Sequence, residues 1–282
     1  MDPKLDFEEG REVAEDDGAS SLRLIFEPTV YLIGRQVINQ EEVDRFLARH
    51  GTTWQTDSEV GAELICELGG RVCYMSFGKR QGRKTSRDYL ENILRLRHGS
   101  VLEHAVWNLL VEGVSRSLTH ELIRHRAGFG YSQLSQRYVD ESDAEFIVPD
   151  LIADDEELMA VWQEAIAHSL MAYRRLCEML SVKVEKRFPE MKKTYRRKLV
   201  RQTARSVLPN ATETKILITA NARALRHFIE MRAAEGADRE IRVLAVKVLE
   251  LMQREAPNIF FDFEVYTADD GAPAARPAYS KV

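Results

Sequence analysis

No segment constrains the fold more than Asp154 to Lys186, which carries helical apolar spacing along its length and reads as one long amphipathic helix. An apolar stripe must lie against a second layer. The chain supplies strands for that layer. SLRLIFEPTVYLIG reads as a hairpin broken at Pro28, and HAVWNLLVEGV as a buried strand. Phe146 to Val148, TKILIT (Thr214 to Thr219) and Ile259 to Tyr266 read as further strands. Helices are expected over Asn39 to Arg49, which has a capping residue and early acids, and over Asp57 to Leu68 and Ser86 to Arg97. Val114, Leu118 and Leu122 recur at four-residue spacing, so Ser115 to His125 is another. A basic helix over Met191 to Ser206 ends before LPN, and two more follow at about Ala222 to Met231 and Glu240 to Arg254. In the last, Val243, Val246 and Leu249 form a core stripe. The elements do not alternate as regular βαβ units. The expected class is therefore α+β: a single domain with a central, mostly antiparallel sheet flanked by long helices, not Rossmann.

A chain of 282 residues can bury a sizeable core, and nothing between its ends reads as a linker, repeat or low-complexity segment. Residues 1–20 are acidic and poor in apolar groups, so disorder is expected there. The Ala/Pro-rich stretch 268–282 reads as a tail outside the fold, leaving 21–267 as the domain. A net charge of −5 argues against a protein that coats nucleic acid. No basic start precedes an apolar stretch, and no apolar run is long enough to cross a bilayer, so a cytoplasmic protein is expected. Cys66, Cys73 and Cys177 lack metal-ligand or CxxC spacing and read as reduced, buried residues, with Cys73 in the core.

Against that background RHRAGFGYSQLSQRY (Arg124 to Tyr138) is unusual, because it gathers Arg124, His125, Arg126 and Arg137 among glycines, serines and glutamines. On a helix, Arg116, His120 and Arg124 fall on one stripe with Glu121 beside Arg124, and the helix should break near Gly128 and Gly130 into a loop. Glycines permit close backbone approach, serine hydroxyls and backbone N–H groups donate to phosphate oxygens, and arginine offers a bidentate fork. The unit reads as a site for phosphorylated ligands; a solvated helix end is the plain alternative. Ser135 reads better as a phosphate-binding hydroxyl than as a nucleophile. His98, Glu103 and His104 need not converge, so no metal site is expected.

RHR followed by eight residues and Ser135-Gln136-Arg137-Tyr138 resembles the signature of the flavin-dependent thymidylate synthases. HGSVLEHAVW, THELIRHR, RQTARSVLPNATE and NARALRHFIEMRAAEGADREI resemble further blocks of that family in the same order, from about Gly70 to Val265. The resemblance implies reductive methylation of dUMP to dTMP with 5,10-methylenetetrahydrofolate, FAD and NADPH, in a homotetramer whose active sites lie between subunits. It implies that dUMP is held by Glu121, Arg124, Gln133, Leu134, Ser135, Gln136, Arg137 and Arg205. It implies that Arg232 touches the uracil and is catalytic. FAD contacts are implied for His98, Ser100, Arg124, His125, Arg126, Gln133, Asn221, Arg223 and His227.

The residues agree with that chemistry. Uracil C5 is a poor nucleophile; none of the three cysteines sits in an activating setting, so a cation stabilising an enolate-like base is the remaining route. The sequence lacks a GxGxxG fingerprint, so FAD is not expected on a Rossmann fold. Gly236 stands where many members of the family carry a histidine that touches FAD. A flavin reductase without methyl transfer and a nucleic-acid-binding module using the Arg-rich loop are the competing readings.

Overall fold

The computed structural model describes residues 22–282. The acidic stretch 1–20 lies outside the described residues. Two strands, β1 (Arg23–Ile25) and β2 (Thr29–Arg35), precede helices α1 (Gln40–Arg49), α2 (Gly61–Tyr74) and α3 (Ser86–Arg95). A 3-10 turn over Gly99–His104 leads into β3 (Val106–Ser115) and α4 (Arg116–Leu122). Next come β4 (Phe129–Gln133), β5 (Glu145–Ile147), the single turn α5 (Asp150–Ala153) and the long α6 (Glu156–Arg187). After α7 (Lys193–Ala204) the chain forms β6 (Glu213–Asn221), α8 (Ala222–Arg232) and α9 (Arg239–Glu255). The turn α10 (Pro257–Phe260) and strands β7 (Phe263–Thr267) and β8 (Pro273–Pro277) follow.

Four strands form the main sheet in the order β2-β3-β6-β4, every neighbouring pair antiparallel. Period-two alternation in β3 buries Trp107, Leu109 and Val111, and in β6 Ile216, Ile218 and Ala220. Those side chains share one core with Leu90 and Leu94 of α3, Leu118 and Leu122 of α4, Phe228 and Ile229 of α8, and Leu244, Val248 and Leu249 of α9. Helices thus cover one face of an antiparallel sheet, the α+β arrangement expected. A smaller core of Ala144, Phe146, Ile166 and Leu170 seats α6 against β5. The cap of α6 is Asp155, whose carboxylate accepts from Glu157 N (2.9 Å) and Leu158 N (3.0 Å).

Several expectations are corrected. The stretch around Pro28 is not a hairpin: β1 pairs in parallel with β5, while β2 joins β3. Proline at the junction removes a donor, and the two strands go to different sheets. The segment 268–282 is not outside the fold. β8 pairs with β7, Ala274 and Ala275 are fully buried, and Ala275 N donates to Ala233 O at 2.8 Å. Alanine composition hid this, because small side chains fit where a strand runs close over α9. Ile259 to Tyr266 is not one strand either, since Pro257 starts a helical turn before β7. Cys73 is exposed, on the outward face of α2, while Cys66 is buried and Cys177 half-buried. Among the described residues no helix is long and apolar enough to cross a membrane.

Candidate active site

The site is built where α4 runs out. Ser115 caps the helix through Oγ, which accepts from Leu118 N (3.0 Å), and Glu240 of α9 anchors that cap by accepting from Ser115 N (2.7 Å) and Oγ (2.6 Å). The helix is shorter than its apolar spacing implied and ends at Leu122, after which Arg124 N and His125 N close turns onto Glu121 O and Leu122 O. The Tyr131 hydroxyl reaches Leu122 O (2.9 Å) and His125 O (2.7 Å), fixing the turn from the adjacent strand. The stretch after Gly128, expected as a loop, is in part β4, the edge strand on β6. Gly128 makes that reversal possible. Its φ is +75°, and a Cβ there would lie 2.7 Å from Asn221 Nδ2 and 2.8 Å from Ala224 Cβ.

This turn meets the end of α8. Arg232 donates from Nη1 to Glu121 Oε2 (2.5 Å) and from Nε to His125 Nε2 (3.0 Å). Burial, then the Arg232 charge, then His227 hold the His125 imidazole down at about 4. It is therefore neutral near pH 7, with Nε2 as acceptor, as the bond from Arg232 requires. His227 lies 5.8 Å from it between ring centroids, and Phe228 5.3 Å. Arg124 and Arg126 stand exposed beside the turn, and Arg124 Nε folds back to His120 O (3.3 Å).

A second group lines the flank of α4. Gln133 Nε2 donates to Thr119 Oγ1 (3.0 Å) and reaches Thr214 Oγ1 (3.3 Å), and Arg116 Nη1 donates to Leu134 O (3.1 Å). Ser135 begins the turn that ends β4: its carbonyl accepts from Tyr138 N (2.9 Å) and Val139 N (3.0 Å). Gln136 is buried and Arg137 half-buried. Arg205, at the C-cap of α7, acts on Arg116, whose guanidinium is held below its ordinary value by burial and by that neighbour, against the pull of Glu141. Glu141 is buried, which pushes its carboxyl up to about 7, and its Oε1 has no hydrogen-bond partner. Arg201, on the basic helix, holds this turn by donating to Asp140 (2.9 Å) and Tyr138 O (2.5 Å).

The third group sits at the other end of α8. His98, Ser100 and Arg223 line a cleft of about 390 Å³ with Gly99, Tyr74, Tyr89 and Arg97. Arg223 pairs with Glu103 (2.6 Å) and donates from Nε to Val282 O (3.3 Å). Gly99 is tightly enclosed, because a Cβ would come within 2.8 Å of Arg223 Nε. Asn221 caps α8, accepting from Ala224 N (2.8 Å), and Arg223 and His227 follow on one exposed face of that helix. Helix α8 is thus the rail between the cleft and the Glu121–Arg232–His125 triad. The sequence residues fall into three neighbouring groups on shared elements, not one cavity in a single chain. Gly236 is exposed, and a Cβ there would meet nothing within 4 Å.

A family model described as "Thymidylate synthase complementing protein" matches residues 56–258. The flavin-dependent thymidylate synthase of Mycobacterium sp. (strain JLS) is 50% identical over 224 residues, 79% of this chain and 87% of that protein. The chain belongs to the flavin-dependent thymidylate synthase family. Mycolicibacterium gilvum has a relative of the same description at 48% identity over 82% of this chain and 90% of its own. A solved UMP/dUMP methylase, PolB from Streptomyces cacaoi bound with 5-Br UMP, shares the fold at a TM-score of 0.61 and 21% identity, covering 86% of this chain and 96% of that one. This chain is accordingly an enzyme of methyltransferase type.

Two features of the site escaped the sequence. Arg116 was visible only as part of a stripe; that it points at Leu134 O and Thr214 depends on how β4 folds back. Glu103 was weighed only as a metal ligand, and its pairing with Arg223 joins residues 120 positions apart in the sequence. Burial pushes the Cys66 thiol up to about 12 and raises Cys177 as well. Neither is poised as a thiolate.

Proposed function

We propose that this enzyme converts dUMP to dTMP, with 5,10-methylenetetrahydrofolate as one-carbon donor, NADPH as reductant and FAD as cofactor, without a cysteine nucleophile. The observation that carries the reading is the Arg232 guanidinium, held by Glu121 and His125 at the mouth of the Arg124–Arg137 turn. Nε and Nη1 serve those partners and Nη2 reaches Glu121 O at 3.5 Å, which leaves one proton on each of Nη1 and Nη2 for an anionic acceptor. A uracil whose C4 oxygen gains charge as C5 becomes nucleophilic is such an acceptor, and preorganised donors stabilise that charge without reorganising. Glu121 holds the guanidinium in place, and neutral His125 fixes its plane without adding a second cation. Arg116, Arg205, Arg137 and the Ser135 turn supply cations and donors for the nucleotide phosphate.

The cleft beside Arg223 fits the charged part of FAD. Arg97, Arg223, His98 and Ser100 offer donors to phosphate oxygens, and Gly99 lets the backbone approach. His125, Arg126, Asn221 and His227 continue along the same rail. When bound, reduced flavin would supply the hydride. Closed symmetric assemblies are common among enzymes, and a homotetramer would bring the three groups of neighbouring chains together. The proposed setting is the cytoplasm.

The test is tritium release from dUMP labelled at C5, with the purified, yellow protein. Release that needs both methylenetetrahydrofolate and NADPH supports the proposal. NADPH oxidation that proceeds equally with and without dUMP, and without release, replaces it with a flavin reductase.

A further inference from the structure

One built feature of the molecule lies outside the three groups of residues described above. The connection between α2 and α3 carries Lys79, Arg80 and Lys84 on the wall of an open pocket of about 910 Å³, with His50 opposite. No acidic side chain lines it, and Lys79, Arg80 and Lys84 make no ion pair among the described residues. Uncompensated cations repel one another, and a chain with net charge −5 has carboxylates to spare. Their grouping therefore calls for an anion from outside.

The loop is held in shape from below. Arg71, 1% exposed, donates from Nε to Glu67 (2.8 Å), from Nη1 to Ser76 O (3.3 Å) and from Nη2 to Arg83 O (2.7 Å), which ties both ends of the loop to one buried guanidinium. The same Glu67 accepts from Trp54 Nε1 and Thr56 Oγ1, each at 3.0 Å, so the facing loop hangs on the same pair. The two loops then bond directly: Gly78 N donates to Thr53 O (2.7 Å), and Gln55 N to Gln81 Oε1 (3.0 Å). Such preorganisation lowers the entropic cost of binding a small charged group.

The loop also leaves from the right place. Gly70, Cys73 and Tyr74 of α2 line the cleft that holds His98, Ser100 and Arg223, and the chain runs from there into Lys79 and Arg80. We propose that this basic pocket receives the 2′-phosphate on the adenosine ribose of NADPH. The inference rests on the reading of NADPH as reductant. A phosphomonoester carries about two charges and three acceptor oxygens at neutral pH, the densest match to three cations within one short loop. The carboxylates of a folate glutamate tail are singly charged and spread along a chain, a poorer match.

The experiment is anaerobic flavin reduction followed by absorbance, with NADPH and with NADH, for the native enzyme and for Lys79→Ala/Arg80→Ala. NADPH is expected to be preferred, and the double variant to raise its half-saturating concentration about tenfold or more while leaving NADH, the limiting rate and the flavin spectrum unchanged. Lys84→Ala, on the other limb of the loop, should move the NADPH value in the same direction. Equal effects on both nucleotides, or a rise confined to methylenetetrahydrofolate, would overturn the assignment. Titration calorimetry with adenosine 2′,5′-bisphosphate and with 5′-AMP decides the pocket even if no flavin is reduced. Binding of the bisphosphate alone, lost in the double variant, supports it; indifference to the 2′-phosphate ends it. A pocket that binds in an enzyme whose flavin no nucleotide reduces would separate failure of the functional reading from failure of this one.

Discussion

The role proposed for Arg232 depends on geometry that lysine cannot copy. Its Nε and Nη1 serve two acceptors, His125 and Glu121, and a lysine ammonium keeps the charge but loses the fork. Arg232→Lys should therefore lower the rate of dTMP formation about a hundredfold while the protein stays yellow, as tritium release and absorbance would report. Gly128→Ala tests the turn. An added methyl group meets Asn221 and Ala224 at a φ of +75°, so a loss of about 1–3 kcal/mol in urea unfolding is expected. Glu141 gives a pH signature. Burial, opposed by Arg116, lifts its carboxyl to about 7 from the ordinary 4.5. A raised folded value means that the native state holds the proton more tightly, so its contribution is complete below pH 4.5 and lost as pH rises through 7. Glu141→Gln should flatten the decline in stability between pH 4.5 and 7; an unchanged slope would show that Glu141 does not titrate there.

At the scale of elements, α8 does two jobs with opposite faces. Its exposed face carries Arg223 and His227 toward the site, and its buried face carries Arg226, which clamps the end of the described chain. Arg226 makes paired bonds to Asp262 (2.6 and 2.9 Å) and reaches Ile259 O (2.6 Å) and Tyr279 O (3.1 Å). Removing one partner strands a buried charge. Asp262→Ala should cost about 3–5 kcal/mol by urea unfolding. A loss under about 1 kcal/mol would mean that Arg226 finds carbonyl partners enough without it. The β7–β8 hairpin is thus fastened to the helix that positions Arg232.

For the whole molecule, the telling fact is how little of α6 a single chain covers. Only Ile166, Leu170, Tyr173 and Val184 are buried along it, while Val161, Met171, Met179 and Val182 are each more than half exposed. On the outer face of the sheet Tyr31 and Ile33 are exposed as well, at 43% and 59%. Apolar surface spread over a helix and a sheet face is the mark of an interface. Sedimentation should give a mass near four times the 32.4 kDa chain. Charges placed on that helix, as in Met171→Glu/Met179→Glu, should dissociate it and abolish tritium release together. A monomeric native protein with full activity would contradict the shared-site proposal.

The sequence by itself located the long helices, because 3.6-residue spacing and caps such as Asn39 and Asp155 act within a few residues, although α2 runs over Gly61–Tyr74 and not the expected Asp57 to Leu68. It also determined the family and the cations at the turn, since those are properties of residue type and order. Partnership between distant segments was beyond it. That β1 pairs with β5 instead of β2, that β4 closes the edge of the sheet, and that alanines near the end pack as β8 depend on contacts that no local pattern encodes. The same holds for the site: Arg232 lies more than a hundred residues beyond Glu121 and His125, and only the tertiary fold makes one hydrogen-bonded group of the three.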